Sequence, residues 1–255
     1  MKWTRMTELA QPGLVVELEG VGIPAAGMPS VSVVRGVNWQ VEEGQRWLVR
    51  GAARSGKSSV IGVAAGLIRP VTGRHRLFGA DLVELGEAER TALRRRVGVV
   101  FGEGGRLFSS MTVLQNLALP LQYHLGSVGQ EEAARIARLI EGLGLERYAK
   151  WMPGDLPRSV AQRVALARAL VLSPSILLLD EPTLGLSLEE VGWWRRFVGG
   201  GAAEVMGSEK APATWVVATS EGWEWGEWSG ETAWVEGGKW RVEAAGEELR
   251  LAAGG

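Results

Sequence analysis

Apolar and polar positions along the chain alternate between short strand-like runs and longer helix-like ones. Leu14–Leu18 and Val31–Val41 alternate or run apolar, as strands do. The turn Glu42-Glu43-Gly44-Gln45 leads to a short apolar-centred strand, Arg46–Arg50. Ser58–Leu67 suits a helix and Arg74–Phe78 another short strand. Glu87–Arg96 is a charged helix ending at a strand, Val97–Phe101, and residues 102–106 read as a flexible loop. From Val113 to about Gly144 the pattern is helical, broken at Pro120 and around Gly126–Gly129. After Asp155-Leu156-Pro157-Arg158, the positions Val160, Val164, Ala167 and Val171 recur at helical spacing and mark one buried face. Ile176–Leu179 is an unbroken apolar run, suited to a parallel strand covered on both faces. Leu188–Val198 is helical, and Gly199-Gly200-Gly201 is expected to stop it, with a loop running to Pro212. Trp215–Thr219 is a strand, and Ala233–Val235 with Lys239–Val242 predict a hairpin across Glu236-Gly237-Gly238.

Residues 51–59 (Gly51, Ala52, Ala53, Arg54, Ser55, Gly56, Lys57, Ser58, Ser59) fit a phosphate loop: glycine, four residues, then Gly-Lys-Ser. The strand before it and the helix after it supply the required context. Its glycines let backbone N–H groups close around phosphate oxygens; Lys57 reaches the outer phosphates and the Ser58 hydroxyl can ligate magnesium. Strand–helix alternation around such a loop predicts an α/β fold with a P-loop core, an antiparallel β portion from the N-terminal strands, and a helical lobe at about 102–172, all within a single domain spanning 1–255. The apolar strand ending in Asp180-Glu181-Pro182 completes the motif set. Asp180 is placed to hold the magnesium shell and Glu181 to polarise an attacking water.

Composition removes several alternatives. At 255 residues, 46% hydrophobic and 22% charged, the chain is ordinary for a folded protein. A net charge of −1 gives no basic surface for nucleic acid, and Arg94-Arg95-Arg96 reads as a solvated helix face. Cysteine is absent, and His75 and His124 lie far apart, so neither disulfides nor a thiolate or histidine metal cluster are expected. The apolar runs near Val60–Ile68 and Ile176–Leu179 are too short to span a bilayer, and MKWTRMTELAQPG has no apolar signal core. A cytosolic chain is the expectation, with any membrane-spanning part supplied by a partner. Of the twelve tryptophans, Trp223, Trp225 and Trp228 cluster; packing and a partner interface are both open for them, packing being the commoner role.

The segments GAARSGKSS, VGVVF and QRVALARALVLSPSILLLDEPTLGL, in that order, resemble ATP-binding-cassette (ABC) ATPases. Within that family, LFSSMTVLQNLALPL and the Met152-Pro153 lead to Leu156 are similar to Mla-type phospholipid-transport ATPases. The resemblance implies ATP and Mg2+ as cofactors, with Ser58 and Asp180 on the metal and Glu181 catalytic. It implies two cassettes sandwiching two ATP molecules head to tail, a membrane-spanning permease as partner, and a place on the cytoplasmic face of the inner membrane. Loop 102–112 and the helix after it correspond to where the family receives the permease's coupling helix.

The chain departs from the family's pattern at several positions. The signature Leu-Ser-Gly-Gly-Gln falls on Leu156-Pro157-Arg158-Ser159-Val160, where Pro157 removes an N–H and Arg158 adds bulk. Gly102, followed by Glu103, stands at the glutamine after VGVVF; Ser220, followed by Glu221, stands at the switch histidine. Ser187 replaces the D-loop aspartate, and residues 21–27 hold no aromatic to stack adenine. Two readings follow: a subunit with weakened hydrolysis that depends on a more complete cassette, or a regulatory ATP-binding module with negligible turnover.

Overall fold

The computed structural model describes residues 13–208, 210–220, 225 and 228–243, with residues 103 and 104 described by backbone alone. In chain order the elements are β1 (Leu14–Ala25), β2 (Met28–Glu42), β3 (Arg46–Arg50), α1 (Lys57–Ala64), β4 (Thr72–Leu77), β5 (Ala80–Asp81), α2 (Glu87–Arg94), β6 (Val97–Val100), α3 (Val113–Leu125) and α4 (Gln130–Gly142). There follow α5 (Arg158–Leu170), β7 (Ile176–Asp180), α6 (Leu188–Arg196), α7 (Ala202–Met206), β8 (Thr214–Thr219), β9 (Glu231–Glu236) and β10 (Lys239–Glu243). They fall into two compact units, one within 1–94 and 213–255, the other 95–212.

The first unit is a mixed sheet in the order β5-β4-β1-β2-β10-β9-β3-β8. β1 pairs antiparallel with both β2 and β4, while β3 runs parallel to β8 and β9. Alternation puts Val37, Trp39 and Val41 of β2 inside and leaves Asn38 and Gln40 exposed. Trp39 meets Trp47 edge-on at 5.6 Å between ring centroids and Trp240 at 5.1 Å, so three of the tryptophans bind β2, β3 and β10 into one core. Helix α1 covers the sheet with Val60, Ile61, Val63 and Ala64. The expected terminal hairpin forms as β9–β10, and Gly237 and Gly238 in its turn both have positive φ, 55° and 74°, as a two-residue turn of this hand requires.

In the second unit β6 and β7 pair in parallel from Val97↔Ile176 to Val100↔Leu179. Every residue of β7 is buried, which is why it reads as an uninterrupted apolar run. Three expectations need correction here. Helix α3 is not broken at Pro120; it runs through it, because Leu117 and Leu121 on either side are fully buried and their packing outweighs the lost backbone bond. Residues 103–106 are a 3-10 turn rather than a flexible loop. Gly105 sits so close to α5 that an added Cβ would lie 2.0 Å from the Ala165 Cβ, and the Arg168 guanidinium donates to the Gly105 and Arg106 carbonyls at 2.7 and 3.1 Å. Gly199–Gly201 do interrupt the helix, with Gly200 at a non-helical φ of 163° and ψ of −23°, but no loop to Pro212 follows directly: the chain kinks and resumes as α7, anchored by buried Phe197, Val198 and Ala202.

Candidate nucleotide site

The phosphate loop lies in the first unit between β3 and α1. Its sharp course needs Gly56 at φ 109° and puts Arg54 at φ 63°. Gly51 is hemmed in: a Cβ there would lie 2.4 Å from the Val235 carbonyl oxygen and 2.8 Å from Ser55 Oγ. Gly56 caps α1 with no side-chain hydrogen bond of its own, so the N-terminal N–H groups of that helix carry no capping side chain from this position. Lys57 is 4% exposed, and its ammonium donates to the carbonyls of Gly51 (2.8 Å) and Ala52 (2.9 Å) and to Ser220 Oγ (3.2 Å). Ser58, next in the chain, is exposed. The nine loop residues thus offer N–H groups, one buried cation and an exposed hydroxyl, a donor set that suits a polyphosphate with a hard cation.

In the second unit, Asp180 closes β7 and is buried at 5% exposure. Glu181 follows it at φ 49°, a left-handed conformation that a non-glycine residue rarely holds and that functional turns often store. A Cβ on Gly102 would lie 3.3 Å from the Asp180 carbonyl oxygen and 3.5 Å from Glu181 Cβ. Position 102 therefore adjoins the acidic bend, where glycine leaves it no side chain to bind a metal or a water.

The segment Leu156–Val160 reaches into the start of α5. Arg158 is its first helical residue, and an added Cβ on Gly185 would lie 3.5 Å from the Arg158 guanidinium carbon. The Ser159 hydroxyl near Glu190 is the main reason the Glu190 carboxyl is held below its ordinary range, with Ser187 adding to it. Ser187 caps α6 in a reciprocal box with Glu190, at 3.0 Å for Ser187 N–H to Glu190 Oε2. The substituted D-loop serine is therefore a helix cap, and Ser159, at one of the signature's glycine positions, acts on the same glutamate.

A model of the ABC transporter family matches residues 34–184. The chain belongs to the ABC transporter family. Over 193 residues it is 35% identical to the lipoprotein-releasing system ATP-binding protein LolD of Chromohalobacter salexigens, covering 75% of this chain and 81% of that protein. Over 163 residues it is 41% identical to the methionine import ATP-binding protein MetN of Caulobacter vibrioides, covering 64% of this chain and 48% of that one, so it spans about half of MetN's length. Its fold matches a dimeric ATP-binding cassette in a post-hydrolysis state with ADP and Pi, at TM-score 0.77 and 26% identity, over 90% of this chain and 98% of that one. The expected α/β P-loop fold of the ABC type is the fold found, and the chain is an ATP-binding subunit of this transporter family.

Of the cassette residues anticipated from sequence, Gly51–Gly56 form the loop and Lys57–Ser59 the first turn of α1, and Asp180, Glu181 and Gly102 converge at one bend. Glu221 and Trp223 lie outside the described residues, as does the Glu103 side chain. Trp225 is fully buried and meets Trp228 edge-on at 5.6 Å, so at these two rings packing is what is observed. Sequence reasoning missed the contact between Ser220 and Lys57, which are 163 residues apart and leave no periodic or spacing signal. Among the described residues no helix is long and apolar enough to cross a membrane.

Proposed function

We propose that this ATP-binding subunit drives transport of a lipid-bearing cargo through a separate permease at the cytoplasmic membrane face, and that alone it hydrolyses ATP slowly and relies on a second, more complete cassette. Gly51–Ser59 bind the ATP phosphates, Ser58 and Asp180 ligate Mg2+, and Glu181 polarises the attacking water. The oxygen donors of Ser58 and Asp180 suit magnesium, which when bound neutralises charge on the phosphates. The relative named for lipoprotein release and the LFSSMTVLQNLALPL segment support the cargo class.

One observation carries the weakened turnover: Pro157, at the signature serine's position, caps α5 with neither a hydroxyl nor an N–H to offer, beside an Arg158 whose guanidinium lies close to Gly185. A proline where a hydroxyl and an N–H would stand, and an arginine where a glycine would, leave little with which to contact a partner's phosphate. Gly102 and Ser220 point the same way. The test is a steady-state ATPase assay of the pure chain, with Glu181→Gln as control for contaminants. Turnover well below about 1 per second is expected; an ordinary enzyme rate of that order or faster, abolished by Glu181→Gln, contradicts the proposal.

A further inference from the structure

We infer that Ser220 is a positioning residue for Lys57, holding its ammonium where nucleotide phosphates are met. The inference rests on the reading of Gly51–Ser59 as the nucleotide loop. Among the contacts of the Lys57 ammonium are three oxygens: Gly51 O, Ala52 O and Ser220 Oγ. The first two belong to the loop itself, six and five residues before Lys57, and they move with it. Ser220 does not. It follows the last residue of β8, which pairs in parallel with β3 so that Thr219 stands opposite Arg50. One step beyond that register places Ser220 beside the start of the loop. Sheet pairing, rather than a chance side-chain rotamer, thus delivers the hydroxyl to the lysine.

A lysine has four rotatable bonds and loses much freedom when fixed. Backbone carbonyls of a glycine-bearing loop are soft anchors, whereas an oxygen mounted on a fully buried strand is a firm one; all six residues of β8 are buried. Ser220 therefore sets where Lys57 sits relative to the sheet, and the lysine transmits this to whatever phosphate it holds. The effect belongs to the lysine, so it applies to every nucleotide that the lysine contacts. A direct bond from Ser220 to a third phosphate would instead affect ATP alone.

Equilibrium binding of ATP and of ADP, both with magnesium, tests this on the full chain. Ser220→Ala is expected to weaken both nucleotides by the same factor, about threefold to tenfold, the scale of one lost charge-assisted contact. Ser220→Thr, which keeps the hydroxyl, stays within about twofold of wild type. Ser220→Cys, close in size but a weak acceptor, repeats the alanine loss and guards against a folding defect peculiar to alanine. In a Lys57→Ala background the loss from Ser220→Ala shrinks to less than about twofold, as coupling through one residue demands. Unchanged or tighter binding in Ser220→Ala, a loss confined to ATP, or an undiminished loss in the Lys57→Ala background overturns the inference while leaving the nucleotide-loop reading intact. Unchanged binding in Lys57→Ala alone overturns that reading, and this inference with it.

Discussion

Asn116→Ala is expected to destabilise the second unit by about 3 kcal/mol, a figure that follows from what this side chain holds. Asn116 is fully buried on α3, and its amide ties down the segment before the helix. Oδ1 accepts from Phe108 N–H at 2.9 Å; Nδ2 donates to the carbonyls of Phe108, Met111 and Thr112 at 3.1, 3.0 and 3.0 Å. Truncation does not orphan all four. The Phe108 carbonyl also accepts from Met111 N–H, and the Thr112 carbonyl from Asn116 N–H, so both keep a partner. Phe108 N–H and the Met111 carbonyl lose their contact, at about 1 kcal/mol each for partly buried groups, and the void left by the amide adds about 1 more. For a chain of this length each kcal/mol is about 2–4 °C of melting temperature, so a fall of about 6–12 °C is expected in thermal unfolding. Amide exchange at Phe108 should accelerate with it. Asn116→Asp, which removes the donors and sets a carboxylate against three carbonyls, should do at least as much harm despite Arg168 at 3.5 Å. A melting temperature for Asn116→Ala within 3 °C or so of wild type would refute the account of the side chain as a clamp.

Other consequences are as specific. His75 is buried and its imidazole is pushed down to about 4, chiefly by desolvation, with the Asp81 charge opposing. The unfolded chain therefore takes up a proton that the folded chain refuses between about pH 6.5 and 4; stability is full above that window and falls through it, by up to about 3 kcal/mol, and urea midpoints of His75→Leu should lose this dependence. Gly51→Ala should weaken nucleotide binding by tenfold or so or more, because its Cβ would strike the Val235 carbonyl at 2.4 Å and push the loop aside; equal affinity by calorimetry would show that the loop tolerates the shift. With ATP and magnesium, light scattering of Glu181→Gln should show no stable homodimer, whereas converting Pro157-Arg158-Ser159 to Ser-Gly-Gly should create one. A dimer without that conversion would reject the signature as the barrier, and its absence after conversion would turn attention to Ser187.

Local chemistry with a fixed spacing was legible before any coordinates. Gly51–Ser59 declare themselves because a phosphate loop needs glycines and a lysine at set positions, and Ile176–Leu179 because a strand covered on both faces has no room for polar residues. The hairpin Gly237-Gly238 is equally local. What escaped depends on packing between distant segments. Pro120 reads as a break, yet Leu117 and Leu121 carry α3 through it. The glycines at 199–201 read as a stop before a loop; Gly200 does leave helical geometry, yet buried Phe197 and Ala202 carry the chain across the kink into another helix. Among site residues, Ser187 and Ser220 register in the sequence as losses from a family pattern. The use of Ser187 as a helix cap is local, completed by Glu190 three residues on, whereas the contact of Ser220 with Lys57 emerges only when the β3–β8 pairing brings the two together.

The central claim is that this chain holds ATP through its phosphate loop. Titration calorimetry of magnesium-ATP into wild type and Lys57→Ala tests it most directly. The account predicts clear binding by the wild type, lost on chelating magnesium, and at least about a tenfold weakening in Lys57→Ala, since a charge-assisted contact to phosphate disappears. Equal affinity in the two proteins would contradict it.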